Sequence, residues 1–149
     1  MGSQGFLGRG APLGAEVNLL VQLGLGALLL AGVLLARRGR YVAHGVCQGT
    51  AYVATVAMTV IWMVPSLRDN YGSGLARGVV NRVNVAVAAH LALGAAVVLL
   101  GAYVVLVAAT PLVPPRLRFV RYRPWMLTLL SLWWASIALG VLTYWWATS

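Results

Sequence analysis

The side chains in this sequence that can do chemistry are few, and its two histidines lead them. His44 and His90 are the only strong nitrogen donors for a metal or a heme iron. Met58 could add a thioether to an iron held by His90. Asn18, Gln22, Gln48, Thr55, Thr59 and Tyr122 supply hydrogen-bonding groups, and the acids are limited to Glu16 and Asp69. There is no Ser-His-acid set, carboxylate pair, C-x-x-C, H-E-x-x-H or phosphate-binding glycine loop, so hydrolytic or nucleotide-driven catalysis is not expected. Cys47 is the single cysteine and can form no intrachain disulfide.

These groups lie in an unusually apolar chain. Of 149 residues, 61% are hydrophobic and 9% charged, with mean hydropathy +0.86, where soluble domains carry about 25% charged residues. A soluble core could not cover that much apolar surface, so lipid must. The net charge of +9 comes entirely from arginines. They fall between the apolar runs, where anionic headgroups would meet them, and no folded soluble domain is available to present them to nucleic acid.

Crossing a ~30 Å hydrocarbon core takes about 20 apolar residues in a helix. Four runs qualify, at about 17–36, 41–64, 83–110 and 124–147. The second is expected to stop at Pro65, and the fourth opens at Pro124, a favourable first helical residue. Residues 1–15 lack the apolar stretch of a signal peptide, and Arg37, Arg38 and Arg40 follow the first run, which reads as a retained helix. The runs are continuous rather than alternating, so strands are not expected. Short connections make neighbouring helices antiparallel. The fold expected is therefore all-α: one integral membrane domain, a four-helix up-down bundle with no second globular domain.

Arginine placement predicts the orientation. Arg37, Arg38, Arg40, Arg116, Arg118, Arg121 and Arg123 share one side, and Arg9, Arg68, Arg77 and Arg82 the other. Seven against four puts the first and third connections in the cytoplasm and both termini on the non-cytoplasmic side. Trp62, Tyr144, Trp145 and Trp146 would anchor the outer boundary, and Tyr41 and Trp125 the inner one.

Polar residues within the spans should face one another rather than lipid. His44, Gln48, Thr55, Thr59 and Trp62 make one stripe on the second helix. Ala86, His90, Gly94 and Gly101 share a face of the third. Asn18 and Gln22 lie one turn apart on the first, and Thr128, Ser131 and Thr143 are the candidates on the fourth. At 1.5 Å per residue, His44 and His90 differ in depth by about 15 Å, too far to share one iron. Met58 matches the depth of His90, and His44 is expected to face Tyr122 and Met126 at the cytoplasmic end. The alternative role for each histidine is an interhelical hydrogen bond of about 0.6–2 kcal/mol. Gly24, Gly26, Gly94 and Gly101 read as helix-packing glycines, Trp133 and Trp134 as packing residues or cofactor flanks, and Glu16 as a helix cap or an arginine partner.

The run from Asn18 through Arg37-Arg38-Gly39-Arg40, His44, His90 and the closing Gly140-Val141-Leu142-Thr143-Tyr144 resembles the YozB/CtaM-type family of small four-helix bacterial membrane proteins. The resemblance spans about Asn18 to Tyr144. It implies a link to heme-copper terminal oxidases, at least some members being needed to make an active oxidase. The family pattern carries two further histidines, at positions that here hold Ser66 and Tyr122. Each histidine pair of the family would thus keep one member, His90 and His44, which argues against carrying over a ligand role.

The expectation is a non-catalytic accessory protein or small subunit of a respiratory complex of the heme-copper oxidase type. It would lie in a bacterial cytoplasmic membrane with lipid and other membrane subunits as partners. The first alternative is an electron-transfer subunit holding heme b through His90. The second is a small proton or solute transporter, which would require a carboxylate near the bilayer centre.

Overall fold

The computed structural model describes residues 5–78 and 80–149. Among them, four helices are long and apolar enough to cross a membrane: α1 (Leu13–Arg37), α2 (Tyr41–Ala76), α3 (Arg82–Ala109) and α4 (Tyr122–Ala147). The side-chain contacts fix their directions. Along α1 and α2, Trp62 lies against Gly14, while Gln48 reaches the Leu29 carbonyl and His44 the Gly32 carbonyl. Glu16 meets Tyr144, and Gly26 meets Trp134, along α1 and α4. His90 meets Ser136, and Tyr103 meets Trp125, along α3 and α4. In each seam numbers rise on one helix as they fall on the other. The bundle is antiparallel throughout, with α1–α2 and α3–α4 the most extensive pairs and α1–α4 and α2–α3 closing the ring.

The apolar core is narrow. Leu25, Leu29, Ala51, Val97, Val104, Leu129, Trp133 and Ile137 form it, with contributions from all four helices. Most of each helix faces outward, and large apolar side chains stand open there: Val42 is 84% exposed, Ile61 72% and Leu99 71%. Contiguous apolar surface of this extent is tolerated in lipid and not in water.

α2 does not stop at Pro65 and continues as helix to Ala76. Proline lacks an N–H and its ring collides with the carbonyl four residues back. The turn before it, Thr59–Met63, adopts the wider π register, in which the Val64 N–H bonds to the Thr59 carbonyl five residues back. This widening moves the preceding carbonyls away from the proline ring. A second π turn, Leu67–Tyr71, follows. At 1.5 Å per residue, 36 residues span about 54 Å, so the last turns of α2 reach past a ~30 Å apolar layer.

α3 is capped by Asn81, whose side chain accepts the Asn84 N–H at 2.8 Å, so that the helix begins at Arg82, one residue before the expected start. Its other end is closed by the connection to α4. Arg118 donates to the Val107 carbonyl at 2.9 Å and to the Thr110 carbonyl, placing a cation at the negative end of the helix dipole. The Tyr103 hydroxyl donates to the Leu117 carbonyl at 2.5 Å. Tyr103, Phe119, Tyr122 and Trp125 form an aromatic cluster beside it. Arg118→Ala is expected to cost about 1–3 kcal/mol by stripping donors from two carbonyls. Faster amide exchange across residues 110–121, with the middle of α1 unchanged, checks this.

Candidate functional site

The polar side chains of the bundle are held in its seams. In the α1–α2 seam, His44 Nδ1 lies 2.8 Å from the Gly32 carbonyl. One turn deeper, Gln48 Nε2 donates to the Leu29 carbonyl at 3.2 Å. Gly32 lets the helices approach, since a Cβ there would lie 2.6 Å from Gln48 Nε2. In the α3–α4 seam, His90 Nδ1 lies 3.0 Å from the Ser136 carbonyl, and the imidazole covers Gly140, where a Cβ would lie 3.1 Å from its Cε1. The α2–α3 seam is joined by Tyr52, whose hydroxyl donates to the Val98 carbonyl at 3.1 Å while its ring packs on Gly101.

Both histidines therefore use the same chemistry. A carbonyl oxygen only accepts, so Nδ1 is the donor in each ring, and in the neutral imidazole Nε2 keeps its lone pair. That is a satisfied interhelical hydrogen bond, and it also orients the ring as metal-ligating histidines are oriented. The donors do not gather, however. His44 sits between α1 and α2 and His90 between α3 and α4. No three metal-binding side chains cluster among the described residues. Met58 is half-buried on α2, whereas the hydrogen bond of His90 runs to α4. The donor set thus supplies one imidazole nitrogen at each of two separate places.

Several expected placements change. His44 faces the Gly32 carbonyl of α1, not Tyr122 and Met126. Tyr122 is not an interior residue: it is 45% exposed and its ring meets Phe119 at 4.7 Å. Thr128 and Ser131 face outward, and Ser136 is the buried hydroxyl residue of α4. Thr143 and Thr59 turn their hydroxyls onto their own helices, at the Leu139 and Thr55 carbonyls, both 2.8 Å away. Gly24 and Gly94 border open space; Gly26 and Gly101 are the packing pair, joined by Gly14, Gly32 and Gly140. Trp133 is a core residue, and Trp134 packs on Gly26. Gln48 and Thr55 do face inward, Asn18 and Gln22 are half-buried.

No family model, curated protein or solved structure matches the chain.

Glu16 is the residue whose place the sequence least suggested. It is completely buried and, among the described residues, neither caps α1 nor pairs with an arginine. Its Oε2 accepts the Phe6 N–H at 2.5 Å and the Leu7 N–H at 2.9 Å, and its Oε1 accepts the Tyr144 hydroxyl at 3.2 Å. Consecutive backbone N–H groups make a concave anion site, and here a side chain of the same protein fills it. Gly5 lies directly on the carboxylate, so a Cβ there would overlap it. Arg9 stacks on Trp145, 3.5 Å from the ring centroid. The segment before α1 is thereby strapped across the ends of α1 and α4. One signal is legible: a lone acid in the first turn of an apolar helix that carries no other charge before its closing Arg37.

Proposed function

We propose that this chain is a non-catalytic integral membrane protein, an accessory factor or small subunit of a respiratory complex of the heme-copper oxidase type. Its membrane would be a bacterial cytoplasmic membrane, with both termini outside as the arginine distribution favours. The observation that carries the reading is the use made of the polar groups. His44, Gln48, Tyr52 and His90 each bond a main-chain carbonyl of a neighbouring helix, so polar chemistry joins helices instead of converging on a substrate. The broad apolar exterior offers lipid and partner helices a continuous surface. The oxidase assignment rests on the likeness to YozB/CtaM-type proteins.

A second reading, a heme-carrying electron-transfer subunit, is favoured by one feature: His90 keeps an Nε2 lone pair in a ring oriented by a carbonyl. The other axial ligand would be Met58 or a residue of a neighbouring chain. Visible spectra of the purified protein separate the two. The accessory reading expects no heme band, and His90→Ala to cost only about 0.6–2 kcal/mol of bundle stability. A sharp reduced heme band that vanishes in His90→Ala would replace the first reading with the second.

A further inference from the structure

The α1–α2 seam holds more polar groups than joining the helices uses. Its register is set at three points, by His44 on Gly32, Gln48 on Leu29 and Trp62 on Gly14. In those three pairs the residue numbers sum to 76 or 77, and the same register puts Gln22 level with Thr55, and Asn18 level with Thr59. Thr55 is 7% exposed. Its Oγ1, the Gln22 Nε2 and the Asn18 Oδ1 are all buried, and none has a hydrogen-bond partner among the described residues. Thr59 bonds none of them, and its hydroxyl hydrogen is directed to the Thr55 carbonyl or to Met63.

The three orphaned atoms are chemically complementary to one small ligand. Gln22 Nε2 only donates, Asn18 Oδ1 only accepts, and a threonine hydroxyl does either. Buried water typically makes about three hydrogen bonds, to groups that are otherwise unsatisfied. Toward the opposite end of the bundle, Leu25, Leu29 and Ala51 close the seam with apolar side chains, each under 9% exposed. That layer makes the place a bounded site and not a path through the bundle.

We infer that Asn18, Gln22 and Thr55 form a buried water-binding site between α1 and α2. The inference is independent of the accessory-subunit reading. Water here completes the pairing of the two helices in the half of the seam where no direct side-chain-to-carbonyl bond crosses it.

The test is a structure of the full chain in lipid nanodiscs at a resolution that shows ordered water. A water within hydrogen-bonding distance of Gln22 Nε2, Asn18 Oδ1 and Thr55 Oγ1 is expected. A direct bond from Gln22 to Thr55 or Asn18, with no water between, would overturn the inference. Magnetisation transfer from long-lived water to the Gln22 side-chain amide gives a second readout. It should be present in the wild type and lost in Thr55→Val, which keeps the shape and removes the hydroxyl. Its absence from the wild type, or its full retention in the variant, would equally overturn the site.

Discussion

Gly101→Ala is expected to destabilise the bundle by about 2–4 kcal/mol, whereas Gly94→Ala, two turns away on the same helix, should be neutral or stabilising by up to about 1 kcal/mol. A Cβ at Gly101 would lie 2.7 and 2.8 Å from two carbons of the Tyr52 ring, inside any real contact distance. The ring cannot swing aside freely, because its hydroxyl is bonded to the Val98 carbonyl. Either that bond breaks or α2 and α3 separate. The seam has little to fall back on, since α2 and α3 meet over a much smaller contact than α1–α2 or α3–α4. At Gly94 the same Cβ enters open space and only the helix-propensity gain remains. Unfolding of the purified variants in detergent checks the contrast. A second change, Tyr52→Val, should recover part of the Gly101→Ala loss, because the collision it relieves is the cause.

The other large effect concerns Glu16. Hydrogen bonds to a charged acceptor contribute about 1.5–3 kcal/mol each, and Glu16→Ala removes the acceptor of the Phe6 and Leu7 N–H groups together. A loss of about 3 kcal/mol in local protection corresponds to roughly 100-fold faster exchange of these two amides. The middle of α3 should be unaffected, because the strap does not form the core. Gly5→Ala should release the same segment by a different cause, a Cβ overlapping the carboxylate. Uniform loss of protection across all four helices would instead make Glu16 a core residue.

The four helices were legible because each is a long apolar run bounded by arginines, prolines or glycines. The extension of α2 was not. Pro65 at the end of an apolar stretch ordinarily stops a helix, and the π turn that admits it has no signature in residue type. Depth along the chain placed His44 and His90 in separate places, yet depth gives height and not direction around the bundle. That is why depth points His44 toward Tyr122 and Met126 when its partner is Gly32 on α1. On α4 the hydroxyl residues share no single face: Ser131 and Ser136, five residues apart, point roughly 140° from each other. Outward-facing Thr128 and Ser131 are compatible with lipid because such hydroxyls can bond their own helix, as Thr143 does. Glycines opposite the histidines become readable only once one contact has set the register, after which Gly32 and Gly140 follow.

We propose that this bundle is an accessory part of a larger membrane complex. The most direct measurement is extraction from native membranes in mild detergent, with identification and counting of the chains that accompany it. As an accessory part, the chain should keep a constant ratio to large heme-copper oxidase subunits through successive purification steps. Recovery as a lone monomer, with those subunits migrating separately, would contradict it.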